Sequence, residues 1–508
     1  MNPRCALAFG LGALLVSGSV RAQQPETGLS VVHHPPPRPA PRRPARLRPA
    51  PAQPGTTTTP ITAGGPRTLA DALSVTYAYQ PLLQSERAKL RATDENVPSA
   101  LAGWRPTVIT QGQLGYGDGI SRAFNPLFSG WQKARTDRSL ATAQATLTQP
   151  LYTGGKTQAS VNQAKNKVMA ERATLMAQEE SSFLNAVTAY VGVIQSQQLL
   201  QLNINNEQVL AKQLQATQDR FKAGELTRTD VAQAEAALSG AAAQREIAEG
   251  NLATARASFQ QVVGFYPATD LVEPQPLALP VSGEQQLAAL AVANNPTVIS
   301  ALFNDSAARD QVDVAFAALL PQVSLVGQAF QQNNASARST YDNGYQIGVQ
   351  LSVPLYQGGA EYSAVRQAKQ SQQQTQKLVA DAQRTAAQQA VQAWDTLAAA
   401  RASADSTRAQ IRANQIALEG VEREAIVGSR TTLDVLNAQQ ALLTSETTLV
   451  QNLAQLVTAS YQVASAIGRL TARDLHLAVP LYDETAYYNA VKNRWFGLGD
   501  YATHQPGR

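Results

Sequence analysis

Cysteine is almost absent. Cys5 is the only one in 508 residues, so disulfides and thiol chemistry are excluded from nearly the whole chain. Long apolar runs are missing too. The stretch 6–16 has the length of a signal-peptide core, well short of the ~20 residues that a spanning helix needs. Arg4 precedes it and Val20-Arg21-Ala22 offers a small-x-Ala cleavage site. Residues 1–22 therefore read as a secretory signal that takes Cys5 with it, and Cys5 lies too early to be a lipoprotein acylation site.

Catalytic signatures are lacking as well. There is no nucleophile elbow, phosphate loop or HExxH sequence. His33-His34 has no further ligand nearby, and His476 and His504 stand alone. No enzyme activity, metal or cofactor is expected. Excess charge is confined to one end. Residues 1–60 hold seven Arg and one Glu, so the overall +5 leaves −1 for residues 61–508. That balance gives no reason to expect nucleic acid. Residues 23–67 form a Pro/Arg-rich tract expected to be disordered. It serves as a plain spacer or as a contact to acidic lipid or cell-wall polymer.

What is present is a duplication. "QPLYTGGK" at 149–156 returns as "VPLYQGGA" at 353–360, with Gly154-Gly155 and Gly358-Gly359 at an offset of 204. "VNQAK" (161–165) faces "VRQAK" (365–369), and "GELTRTDVAQA" (224–234) faces "GSRTTLDVLNA" (428–438), at that same offset. Upstream, Pro81 matches Pro296 and Pro106 matches Pro321 at an offset of 215. The first copy therefore carries 11 extra residues, which fall in the loop-like "GDGISRAFNPLFSGWQKARTD". The repeats span 68–263 and 284–470, with a linker at 264–283 and a tail at 471–508 that are both expected partway along the helices, near their equator.

Each copy alternates with period two in two places. Tyr345, Ile347, Val349, Leu351 and Val353 oppose Gln346, Gly348, Gln350 and Ser352, while Ala141, Ala143, Ala145 and Leu147 oppose Thr142, Gln144, Thr146 and Thr148. Weaker alternation follows Pro106 and Pro321. Strands are expected at about 106–117, 139–150, 321–331 and 344–354, the length of transmembrane β-strands. A soluble amphipathic hairpin would show the same pattern. After each Gly-Gly the pattern turns helical. Residues 156–223 and 360–427 hold no proline, and at 1.5 Å per residue each makes a helix of about 100 Å. Return helices are expected at 229–263 and 430–468, with further helices at about 68–104 and 284–320. Their alanine-rich, glutamine-rich faces suit a hollow tube with one dry seam, although any single helix would also pass as a coiled coil.

Four strands cannot close a membrane barrel, whose edges must be paired. Two copies give eight strands with a filled interior, and three give twelve with room for a lumen. The doubled PLYxGG junctions, the two G-x-x-T-x-x-D-V hairpins and the duplication resemble the TolC family of outer-membrane export channels over nearly all of 68–470. The resemblance implies a homotrimer with a twelve-stranded barrel in the outer membrane and a twelve-helix tunnel across the periplasm. It also implies a periplasmic adaptor and an inner-membrane pump of ABC, RND or MFS type as partners, serving drug efflux or type I secretion. The rival reading is a periplasmic adaptor-like protein with a long hairpin.

On that resemblance the hairpins become the inner tips of the tunnel. Asp230 and Asp434 each follow a hairpin glycine (Gly224, Gly428) by six residues, and three chains would ring a narrow mouth with six carboxylates. Each Asp also suits a helix N-terminus behind Thr227 or Thr431. Gly224, Thr227, Gly428 and Thr431 are expected at the adaptor contact. Arg430 is placed to pair with a carboxylate of a neighbouring helix. Asn437 and Ala425 stand where family members often carry an acid and an aromatic, which implies a gate with less charge and fewer ties. At the junctions Pro150 and Pro354 are expected to end strands, Tyr152 and Tyr356 to lie at the membrane interface, and Gly154, Gly155, Gly358 and Gly359 to let the chain turn into the helix.

Overall fold

Proline and glycine set the breaks in this chain. The computed structural model describes residues 65–278, 283–335 and 339–506. The chain divides into Met1–Thr59 and Pro60–Arg508, and every described residue belongs to the second unit. The expected signal, 1–22, and the expected tract, 23–67, therefore lie outside the described residues except at 65–67. There Arg67 is held in place. Its carbonyl accepts the Val272 N–H at 3.0 Å and lies 2.7 Å from the Tyr190 hydroxyl.

The first repeat runs α1 (Leu69–Tyr79), α2 (Pro81–Asp94), α3 (Asn96–Leu101), β1 (Thr107–Asn125), β2 (Gly130–Tyr152), α4 (Lys156–Lys222) and α5 (Arg228–Val263). The second runs α6 (Glu284–Asn294), α7 (Pro296–Phe316), β3 (Gln322–Asn333), β4 (Tyr341–Ser352), α8 (Ala360–Ile426) and α9 (Thr432–Ala466), followed by a short α10 (Ala486–Val491). The helices expected at 68–104 and 284–320 are not continuous. Gln80 and Asn295 sit at ψ 118° and 124°, because the ring of the following proline pushes them out of the helical region.

The four strands form one antiparallel sheet in the order β1-β2-β3-β4. Register places Val108, Leu114 and Tyr116 opposite Leu147, Ala141 and Ser139, and carries the same face through Leu325 and Ala329 to Val349 and Tyr345. The opposite face carries Gln113, Gln144, Gln328 and Gln346. One face is thus apolar and the other rich in amides, and a slip of one residue would exchange them. The first hairpin corrects the expected strand ends. β1 and β2 are 19 and 23 residues long, against 12 for β3 and for β4. The insertion read as a loop is mostly ladder. Asp118 and Arg135 pair across it at 2.8 Å, and Phe124 meets Trp131 edge-on near its tip.

The two long helices are each 67 residues, about 100 Å. Of the α8 residues only eight are buried, chiefly alanines such as Ala386, Ala390 and Ala400. Such a helix has a single narrow dry seam. The main hydrophobic core sits partway down α4, where Phe183, Val187 and Tyr190 meet Leu73, Leu83, Phe259 and Leu470. Leu271, Leu277, Leu475 and Tyr482 of the linker and tail pack against it. Among the described residues no single helix is long and apolar enough to cross a membrane; α6 and α7 pass that test only as a pair bent by 42°.

Candidate functional site

The strand–helix junctions and the helical tips carry the repeated sequences. At the first junction Gly154 and Gly155 are both left-handed, φ +63° and +84°, and Gly358 and Gly359 repeat this at +71° and +84°. A Cβ on Gly154 would stand 2.8 Å from the Leu320 Cβ and 3.0 Å from the Ala317 carbonyl oxygen. The turn is fixed, with the third helix–strand corner of the protomer packed into it.

Two expected strand ends are corrected here. Pro150 does not stop β2, which continues to Tyr152 through an irregularity at 150–152. β2 is an inner strand facing β3, so a bulge absorbs the missing proline N–H. In the second copy β4 ends at Ser352, before Pro354, and Tyr356 lies beyond the strand. β4 is a sheet edge and β3 begins at its partner Gln322, so nothing remains to pair with. Tyr152 and Tyr356 are both well exposed.

At the first tip the α4 helix stops in a Schellman turn. Gly224 has φ +81°, its N–H donates to Phe221 O at 2.9 Å, and the Glu225 N–H reaches Arg220 O at 3.0 Å. Thr227 then caps α5. Its hydroxyl accepts the Asp230 N–H at 3.3 Å, and the Asp230 carboxylate accepts the Thr227 N–H at 2.9 Å and its hydroxyl at 2.6 Å. The second tip repeats the arrangement with Gly428 (φ +82°), Thr431 and Asp434, the last accepting the Thr431 N–H at 2.9 Å. The same Thr-x-x-Asp box opens α1 at Thr68 and Asp71, so its first use is capping. Hydrogen bonds from Thr227 hold the Asp230 carboxyl below its ordinary range, and those from Thr431 do so for Asp434. Both acids are ionised at neutral pH, and each is bonded inside its own hairpin.

The tips differ in one respect that spacing alone did not reveal. Arg220 of α4 pairs with Glu225 in the turn at 3.0 Å, whereas Glu424 of α8, at the equivalent position, pairs with Arg430 in the turn at 2.9 Å. The ion pair is kept and its polarity reversed. Glu424 raises the Arg430 guanidinium further above its ordinary value. Asn437 is exposed on α9 one turn beyond Asp434. Ile426 and Val427 stand well exposed beside Gly428.

A groove of about 1130 Å³ lies between α4, α5 and α9. Asn185, Gln195, Asn203, Gln244, Asn251 and Gln440 line it among hydroxyls, small residues and apolar side chains such as Leu199 and Ile247, and no charged side chain belongs to its wall. The signal was in the sequence as a polar stripe at helical spacing along α4. A wall without fixed charge favours neither sign of ion. Among the described residues no cluster of His, Cys, Asp and Glu could hold a metal ion.

Amphipathic strands that feed two helical hairpins of this length define a membrane sheet joined to the wall of a duct. A profile of the outer membrane efflux protein family matches residues 73–265 and 287–469, one segment in each repeat, and the chain belongs to that family. The outer membrane efflux protein BepC of Brucella suis biovar 1 (strain 1330) is 38% identical over 434 residues, covering 85% of this chain and 92% of its own. The outer membrane protein TolC of Escherichia coli (strain K12) is 25% identical over 444 residues, covering 82% and 86%. The crystal structure of the Campylobacter jejuni CmeC outer membrane channel superposes with a TM-score of 0.68 at 16% identity, over 79% of this chain and 85% of that one. The protein is thus an outer-membrane efflux channel of the TolC type, of a family of transport ducts and not of enzymes.

Proposed function

We propose that the chain is one protomer of a trimeric export duct that runs from the outer membrane through the periplasm. The observation that carries this is a four-stranded sheet with two unpaired edges, β1 and β4, continuing directly into two 67-residue helices. Open edges in lipid leave backbone groups unsatisfied, so copies must pair edge to edge. Three copies bring twelve strands and a lumen, and place three α4–α5 and three α8–α9 hairpins side by side as a tube. The chain makes and breaks no bonds; a periplasmic adaptor and an inner-membrane pump of ABC, RND or MFS type supply cargo and energy for efflux or type I secretion.

Opening takes place at the tips. Six carboxylates, Asp230 and Asp434 from each copy, face a narrow mouth and favour cations there. Gly224, Thr227, Gly428 and Thr431 shape the turns that the adaptor grips. The exposed Ile426 and Val427 offer apolar contact at that surface. The rival adaptor reading has one hairpin, and this chain has two joined to strands. Outer-membrane fractions run unheated and heated on a denaturing gel test the assembly. A heat-labile trimer is expected, and a soluble periplasmic monomer would overturn the proposal.

A further inference from the structure

The C-terminal segment climbs the outside of the helices, and α4 serves as a ruler for it. The Ala472 N–H donates to Glu179 at 2.6 Å. Tyr488 of α10 lies under the Arg172 guanidinium and packs on Val97, Ala164 and Val168. The Arg494 carbonyl accepts from Arg105 Nη1 at 2.5 Å, and the Arg105 guanidinium covers the Trp495 ring at 5.1 Å. Arg105 comes just before β1, and Gly103 touches Thr157 in the first turn of α4. From Glu179 to that turn is about 35 Å of helix. The tail therefore reaches the corner where strands become helices, beyond the position partway along the helices expected for it, before Gln505 turns back to bond the Asp483 carbonyl.

What it carries there is apolar and uncovered. Trp495 is 63% exposed and Phe496 90%, and Leu498 is fully exposed. Trp104, the residue before the Arg105 that stacks on Trp495, is itself partly exposed. Its carbonyl accepts from Gln149 Nε2 at 2.9 Å. Gln149 lies opposite Leu325 and shares the face of Leu147, the apolar face that meets lipid. The cluster is thus on the lipid side of the sheet, level with its inner rim. Arg105 stacks on Trp495, while the neighbouring Arg494 and Lys492 cations lie over Tyr501 and Tyr488, and none of the three forms an ion pair with a described residue.

We propose that this tail is an interfacial anchor: Trp495, Phe496 and Leu498 seat among the phospholipids of the periplasm-facing leaflet, and Lys492, Arg105 and Arg494 meet their phosphates. Indole and phenyl rings favour the headgroup level, and uncompensated cations beside them match an anionic lipid surface. The inference rests on the orientation of the duct given above. Trp495 becomes the only indole in the variant Trp104→Phe/Trp131→Phe/Trp394→Phe, which is reconstituted as the trimer in vesicles of brominated lipid.

Loss of most Trp495 emission with bromines near the headgroups, and less loss with bromines deep in the chains, is the expected result. Lys492→Gln/Arg494→Gln should remove any advantage of phosphatidylglycerol over phosphatidylcholine vesicles in that quenching. Emission quenched by aqueous iodide instead would overturn the anchor, and emission protected from both quenchers would assign the patch to a neighbouring copy. Should the triple variant not assemble, a nitroxide on Cys5→Ser/Phe496→Cys gives the same answer through its accessibility to oxygen or to a water-soluble nickel chelate. Failure to recover any heat-labile trimer from outer membranes would count against the duct itself, whereas an inserted trimer with a wet Trp495 would sink only the anchor.

Discussion

At the scale of single residues, the tip acids do two jobs that substitution can separate. Asp230→Asn with Asp434→Asn keeps an acceptor for the Thr227 and Thr431 N–H groups, while the alanine pair removes it. We expect the asparagine pair to lose cation preference in planar bilayers with little change in thermal stability. The alanine pair should lose the same preference and also break both capping boxes, read as a lower unfolding midpoint. Unchanged ion selectivity in both would remove these acids from the gate. Gly154 and Gly155 make a second contrast. Gly155→Ala meets open space and incurs only the left-handed backbone cost of about 1–2 kcal/mol. Gly154→Ala adds a collision with Leu320 and the Ala317 carbonyl, so its yield of heat-stable trimer should fall well below that of Gly155→Ala.

At the scale of elements, buried acids in the core between α2, α4 and the tail set a pH response. Burial pushes Asp94 up to about 7 and Glu180 up to about 8, the latter helped by Glu179 and Asp474. Both acids hold protons in the folded state that the unfolded chain has released, so their contribution to stability declines as pH rises. The decline begins near the ordinary carboxyl value, about 4, and is complete by about 7 for Asp94 and 8 for Glu180. Asp94→Asn with Glu180→Gln should flatten the dependence of the unfolding midpoint on pH across that window and raise the midpoint at pH 8. A wild-type slope retained in the variant would place the titration elsewhere. These acids were not legible in the sequence, because nothing in "RATDEN" or "AQEESS" says which carboxylate is covered. The long helices were, since proline is absent and the Gly-Gly marks are doubled. The extension of β1 was hidden by glycine at 115, 117 and 119. It looked like a loop, yet those glycines all lie on one face while Tyr116, Asp118 and Ile120 occupy the other, a strand with side chains on one side only. Pro81 and Pro296 mark the repeat, and each also forces the residue before it out of the helical region.

At the scale of the whole molecule, the two copies agree where they must act together and differ where they need not. The Gly-Gly turns, the capped tips and the lengths of the two long helices match to the residue, while the hairpins of the sheet differ in reach and the tip ion pairs in polarity. Charge-reversed tips place an acid–base pair of one orientation beside its mirror around any ring of alternating hairpins. Exchanging the charges of one pair, Glu424→Arg with Arg430→Glu, keeps opposite charges at the two positions and gives all tips the same polarity. We expect that variant to assemble normally and to conduct more readily when reconstituted without partners; wild-type conductance would show that polarity around the ring is idle. The equal helix lengths have a consequence of another kind. Every residue removed from α4 turns all that follows by about 100° and draws it up by 1.5 Å, against an α8 that has not moved. Small changes of length are therefore not small. The span can be altered only in whole heptads and in both copies at once, so the reach of the duct comes in steps of about 10 Å and not as a continuous quantity.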